Sequence, residues 1–259
     1  MKLNTIHHED CQETMNKLQE KSIDCVLTSP PYNTSRNGSS LVNPCENIRY
    51  DFFDDNKSDN EYIDWTISLF NGFDRVLKHD GVILYNLSYS SELTHLMWLV
   101  LADIIRKTNF TIADSIVWKK KNASPNSSSK NKLTRICEFV FVFCRKNEIS
   151  TFETNKKIKS KRPSGQPMYE NIYNLIEAKN NDNVTDIHKA TFSTELVRKL
   201  IAIYINKKSI IYDPFMGTGT TAIAAIIEGH DYIGSEISKN YIKYSEKRIS
   251  TYQNQLRIF

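Results

Sequence analysis

The chain has 259 residues, 40% of them hydrophobic and 25% charged, with a net charge of +4 at neutral pH. That size suits one large domain, or one domain carrying an insertion, with enough apolar mass for a sizeable core. No apolar run reaches the roughly 18 residues of a membrane span, the opening MKLNTIHHED lacks a signal-type apolar stretch, and five cysteines without a CxxC pair argue against a zinc site or a disulfide framework.

A reducing cytoplasm is the expected compartment, with no metal and no membrane. In chain order, Asn4–His7 reads as a short strand and Thr14–Gln19 as a short helical stretch. Ile23–Leu27 is an apolar strand running into Thr28-Ser29-Pro30-Pro31-Tyr32-Asn33. Two consecutive prolines stop a strand, and Ser29, ahead of Pro30, is pushed toward extended backbone. The polar stretch 34–60 reads as a loop. Apolar residues at helical spacing (Ile63, Ile67, Phe70, Phe73, Val76, Leu77) predict a helix over 62–77, closed by His79-Asp80-Gly81. A strand at 82–86, a helix at 92–107, a strand at 112–118, a polar loop and a strand at 138–144 follow. From 147 to 186 periodicity fades and Asn, Lys and Ser accumulate, which reads as an insertion outside the core. A helix at 193–204, a strand at 209–212, a helix reaching Glu228 and a strand at 232–234 complete the pattern. Alternating strands and helices with buried β-branched runs predict an α/β fold with a mainly parallel sheet.

Charge is concentrated. Between Lys119 and Arg162 lie thirteen Lys/Arg against three Glu and no Asp, a local balance of +10 that leaves −6 elsewhere. A basic stretch of this kind is either a polyanion-binding surface or a solvated loop.

Two motifs carry chemistry. In Asp213-Pro214-Phe215-Met216-Gly217-Thr218-Gly219-Thr220-Thr221, a strand passes through a glycine turn into an Ala-rich helix. Such a turn lets backbone approach a ligand at a helix N-terminus. No lysine follows Gly219, which disfavours a P-loop, and Ala222 stands where a dinucleotide fingerprint wants its third glycine. Glu236, at the end of the next strand, is placed to hold a ribose hydroxyl pair or to cap a helix. Together these features favour a nucleoside-type cofactor.

The second motif is Thr28-Ser29-Pro30-Pro31-Tyr32. Alone, it is an ordinary Pro-Pro turn. Combined with FMGTG, it resembles the amino-methyltransferases that act on DNA with S-adenosylmethionine. The order SPPY, basic middle, FMGTG resembles the β group of these enzymes, a circularly permuted Rossmann-like methyltransferase fold. His7-His8-Glu9-Asp10-Cys11 resembles the element near the cofactor's adenine, though Glu9 replaces its usual glycine. The stretch 188–201 resembles the cofactor-side helix, and 134–145 the strand near the target-base pocket.

The resemblance implies a catalytic half at 1–146, a target-recognition insertion at 147–187 and a cofactor-binding half at 188–259. Ser29, Pro30, Pro31 and Tyr32 would be catalytic. Asp10, Cys11, Asp213, Phe215, Gly217, Thr218, Gly219 and Glu236 would bind S-adenosylmethionine. Lys119, Lys120, Lys121, Lys130, Lys132, Arg135, Lys157, Lys159, Lys161 and Arg162 would contact double-stranded DNA. A second copy of the chain and a cognate restriction endonuclease are further candidate partners.

An exocyclic amine is a poor nucleophile because its lone pair is delocalised into the ring. Ser29 Oγ and the Pro30 carbonyl would accept the amine hydrogens and free that lone pair, the prolines fixing the backbone that aims them. Tyr32 would stack on the base once it is flipped from the duplex. Cys25, inside the strand, reads as core and not as a nucleophile. In this family serine at the first motif position accompanies cytosine more often than adenine. His188, Ala190 and Phe192 match the cytosine pattern too, although Lys189 and Ser193 replace its prolines. Cytosine N4 is therefore favoured over adenine N6. An RNA or protein methyltransferase and a non-catalytic DNA-binding regulator are the rival readings. The basic stretch disfavours a protein substrate, and the intact motifs disfavour a regulator.

Overall fold

The computed structural model describes residues 2–33, 57–89, 93–123, 130, 132–182 and 192–256. The elements are β1 (Thr5–His8), α1 (Cys11–Lys17), β2 (Ile23–Thr28), α2 (Asp59–Val76), β3 (Leu77–Leu87), α3 (Leu96–Lys107), β4 (Phe110–Lys120), β5 (Cys137–Arg145), β6 (Ile158–Lys161), β7 (Pro167–Tyr169), β8 (Leu175–Ala178), α4 (Thr194–Tyr204), β9 (Ile210–Asp213), α5 (Thr220–Ile227), β10 (Asp231–Glu236) and α6 (Lys239–Leu256).

Among the described residues, eight strands form one sheet in the order β1-β10-β9-β2-β3-β5-β4-β8, and of these only β5 runs against its neighbours. This mainly parallel sheet is the α/β architecture the sequence predicts. Period-2 alternation sorts each central strand between two cores. Ile83, Tyr85 and Leu87 of β3, with Phe141 and Phe143 of β5, pack under α2 and α3. Val82, Leu84, Val140 and Val142 face the other way, against α4 and α5. The helices therefore cover both sheet faces, as a sheet buried on two sides requires.

Local signals set the helix ends. A reciprocal capping box between Ser58 and Glu61 opens α2 three residues before the apolar periodicity begins. The strand β3 starts at once, so His79-Asp80-Gly81 lies inside a strand and not in a closing turn. Pairing of Leu77 with Ile23 holds that segment extended.

The structure differs from the sequence reading in two further places. The segment 147–186 is not wholly outside the core, because β8 adds to the sheet beside β4 and buries Ile176 and Ala178. Its four residues alternate exposed and buried, a pattern too short to stand out in a polar stretch. The helix α6 escapes sequence patterning because its buried stripe is Tyr241, Ser245 and Ile249, with a serine at the centre. The small loop strands β6 and β7 form a separate hairpin, exposed on both faces. The predicted loop at 34–60 lies mostly outside the described residues.

Candidate active site

The sheet reverses its winding between β9 and β2: from β9 the chain proceeds through α5 to β10 on one side, and from β2 through α2 to β3 on the other. Ligands of doubly wound sheets bind beyond the strand C-termini at such a point. The two motifs occupy this position. SPPY leaves the end of β2, and DPFMGTG leaves the end of β9. A buried hydrogen bond from Thr28 Oγ1 to Asp213 Oδ1, 2.7 Å, joins them across 185 positions of sequence.

Asp213 is 1% exposed and also accepts from Thr221 Oγ1 at 2.5 Å and from the Phe215 N–H at 3.0 Å. Burial pushes its pKa up to about 6 against the pull of these three donors. It ties the SPPY strand, the glycine turn and the start of α5 together. Sequence alone does not single out Thr28; its position one residue before Ser29 is the only signal.

The SPPY loop is clamped from α2. Tyr62 Oη donates to the Pro31 carbonyl at 2.6 Å, and Asn33, at φ 52°, exchanges two hydrogen bonds with the Lys57 backbone. Pro30 and Pro31 are buried and Ser29 is half-buried. Ser29 Oγ lies 2.9 Å from Tyr32 Oη. Tyr32 Oη in turn donates to Glu138 Oε2 at 3.3 Å. Asn86 Nδ2 donates to both Tyr32 Oη and Glu138 Oε2, the latter at 3.0 Å, and Lys120 Nζ reaches Glu138 Oε1 at 2.6 Å. Asn86 Oδ1 is buried with no hydrogen-bond partner among the described residues. Neither Asn86 nor Glu138 is predictable from sequence, because an Asn and a Glu on apolar strands carry no spacing signal.

Around the glycine turn, Gly217 (φ 52°) and Gly219 (φ 83°) occupy left-handed backbone. A Cβ on Gly219 would lie 2.8 Å from Ser245 Cβ of α6, so this glycine serves close packing as well as conformation. Thr218 is buried, and its carbonyl and hydroxyl accept from Arg248 at 2.7 and 3.2 Å. Arg248 also pairs with Asp182 at 2.9 Å. Glu236 accepts from the Gly217 N–H and the Ser238 N–H, both at 2.8 Å, thereby bridging the turn to the start of α6. Burial raises its pKa, partly offset by those backbone donors. Phe215 leans on Trp65, ring centres 5.7 Å apart.

Asp10 follows β1, where His8 is in register with Glu236, so both acids stand at the same end of the sheet. Asp10 caps α1 through the Gln12 N–H at 2.8 Å. Cys11 is buried, its carbonyl accepting from Tyr212 Oη, and burial drives its thiol pKa far up. Cys25 is fully buried, with its thiol likewise pushed far up, as expected for a core residue.

The basic residues do not gather into one patch. Lys119, Lys120 and Lys121 sit at the end of β4 near the SPPY loop, but each pairs with a carboxylate: Glu177, Glu138 and Glu195, all at 2.6 Å. Burial disfavours the Glu195 carboxylate, yet hydrogen bonds from Lys121, Lys199 and the Lys179 backbone outweigh it and hold its pKa at about 2. Arg135 stacks on Tyr89 and donates to its carbonyl, and Lys130 and Lys132 are exposed. Lys157, Lys159, Lys161 and Arg162 lie in or beside the exposed hairpin, and their side chains form no ion pair among the described residues, although the Lys157 N–H donates to Glu170 Oε1 at 3.0 Å. The hairpin's base is anchored by Asn155 to the end of α4, toward the strand end opposite the SPPY loop. His188 and Ala190 fall outside the described residues. Phe192 packs against the α4 side core.

Among the described residues no cluster of His, Cys, Asp or Glu could hold a metal, and no helix is long and apolar enough to cross a membrane.

The sequence model of a DNA methylase family, one named for both N6 and N4 amino-methylation, matches residues 23–247. Type II methyltransferase M2.MboI of Moraxella bovis is 24% identical over 244 residues, covering 94% of this chain and 86% of that protein. Among solved structures, the PvuII DNA methyltransferase (cytosine-N4-specific) superposes with a TM-score of 0.69 at 20% identity, over 97% of this chain and 91% of that one. M1.HpyAVI in complex with S-adenosylmethionine superposes with a TM-score of 0.59 at 21% identity, over 94% and 98%.

Proposed function

This chain belongs to the N6/N4 DNA methylase family, and from that premise we propose that it transfers a methyl group from S-adenosylmethionine to the exocyclic amine of a base flipped out of duplex DNA, the base being cytosine. The observation that supports the reading is the Thr28–Asp213 hydrogen bond, which joins the SPPY loop to the glycine turn at the switch point.

The residues present suit the cofactor. Glu236 offers a carboxylate for ribose hydroxyls, Phe215 an apolar ring, and Asp10 a further acid at the neighbouring strand end. Bound there, S-adenosylmethionine supplies a methyl group on a positively charged sulfur. What remains is the work of this chain's residues. Ser29 Oγ and the Pro30 carbonyl accept the amine hydrogens, and the buried proline pair keeps both acceptors fixed before the base arrives. Tyr32 contributes its ring face to the flipped base. Serine at the first motif position favours cytosine. The exposed cations of the β6–β7 hairpin, whose side chains form no ion pair among the described residues, are best suited to DNA phosphates. A restriction-modification role fits, since M2.MboI is named a Type II methyltransferase.

The test is incubation with methyl-labelled S-adenosylmethionine and unmethylated plasmid DNA, followed by nucleoside analysis. The expected product is cytosine methylated on N4. Ser29→Ala should lower the transfer rate on the order of a hundredfold, the scale for losing one positioned acceptor. Methyladenine alone would overturn the choice of base, and absence of transfer to DNA would overturn the whole reading.

A further inference from the structure

A serine hydroxyl can donate or accept, so Ser29 is an acceptor for the amine only if its own hydrogen is directed elsewhere. The hydrogen bonds around Tyr32 direct it. Glu138, held by Lys120 at 2.6 Å, is a carboxylate that only accepts. Asn86 Nδ2 only donates, and it reaches both Glu138 and Tyr32 Oη. The single hydrogen of Tyr32 therefore points to Glu138 Oε2, 3.3 Å away. Tyr32 Oη is left to accept from Ser29, 2.9 Å away, and the lone pairs of Ser29 Oγ remain available to the base.

We infer that Glu138, acting through Tyr32, is a positioning residue that fixes Ser29 as the acceptor of the amine hydrogen and terminates the route by which the amine's proton leaves. The inference rests on the proposed role of Ser29. Methylation forms one N–C bond from the nitrogen lone pair, while the methyl–sulfur bond breaks and its electron pair stays on sulfur. The nitrogen then carries one proton too many. An amine N–H breaks to Ser29 Oγ as Ser29 passes its hydrogen to Tyr32 Oη and Tyr32 passes its own to Glu138. The net change is one N–H broken at the base and one O–H formed at Glu138. The Glu138 and Lys120 side chains are each 17% exposed, enough for that proton to pass on to water.

The test compares Glu138→Gln, which keeps the shape but not the charge, with Tyr32→Phe, which keeps the stacking ring but not the hydroxyl. Each should lower the single-turnover methyl-transfer rate on unmethylated plasmid DNA at least tenfold. Calorimetric affinity for S-adenosylmethionine and the KM for DNA should stay within twofold of wild type. Because both changes break one chain, the double variant should be no slower than the slower single variant. A rate within twofold of wild type in either single variant, or rate reductions that multiply in the double, would overturn the relay. Ser29→Ala, assayed alongside, separates the two ideas: full activity there refutes the role of Ser29 itself, whereas a slow Ser29→Ala beside a fast Glu138→Gln refutes only Glu138.

Discussion

Removing the hydroxyl that joins the two motifs should destabilise the protein by an amount that depends on pH. Thr28→Val keeps the side-chain volume of a fully buried residue but deletes the donor to Asp213 Oδ1. With Asp213 ionised, the loss is that of a hydrogen bond to a buried charge, about 1.5–3 kcal/mol. With Asp213 protonated, it is that of a neutral bond, about 0.5–1.5 kcal/mol. The crossover follows from the folded-state pKa of about 6, raised by burial above the ordinary 3.8. A carboxyl with a raised pKa stabilises the folded state in its protonated form. That contribution is complete below about 3.8 and is lost as pH rises through about 6, a change of about 3 kcal/mol in the wild type. Thr28→Val raises the folded pKa further, since a donor to the ionised form is gone. Its penalty should therefore be larger at pH 7.5 than at pH 5. Urea unfolding at both pH values measures the difference, with Asp213→Asn as a control that abolishes the pH dependence. Equal penalties at the two pH values would refute the reasoning.

Gly219→Ala should cost about 2–4 kcal/mol of stability, from left-handed backbone and from the 2.8 Å approach to Ser245 Cβ, and adding Ser245→Gly should recover only the steric part in thermal melts. Glu236→Ala should weaken binding of S-adenosylmethionine by about 1–3 kcal/mol, read by calorimetry; an unchanged affinity would confine Glu236 to bridging Gly217 and Ser238. Reversing the charge of Lys157 and Lys159 should lower DNA affinity and flatten its salt dependence by about 0.9 decade per decade of salt for each phosphate that is no longer neutralised. The same change at Lys119 and Lys121 should flatten it less, because those lysines are already paired with Glu177 and Glu195.

Much of this protein is legible in one dimension because its signals are local. The apolar run Ile23–Leu27 can only be a buried strand, and the periodicity of 62–77 can only be a helix with one apolar face. Prolines at 30 and 31 and glycines at 217 and 219 announce turns by their backbone restrictions. These features determine an α/β chain with two tight loops leaving strand ends, and the resemblance of their order to that of the β group implies the permuted arrangement. Where burial depends on distant partners, the sequence is silent. The polar helix α6 is held by Ser245 fitting against Gly219, and β8 joins the core only because β4 presents an open edge. The same holds for charge. Lys119, Lys120 and Lys121 read as a cationic run, and only folding sets a carboxylate against each of them. That Thr28 meets Asp213, and that Lys120, Glu138, Asn86 and Tyr32 converge behind Ser29, depends on strands brought side by side from across the chain. Hydrogen bonds act over about 3 Å and carry no sequence periodicity, so their partners are decided by tertiary structure alone.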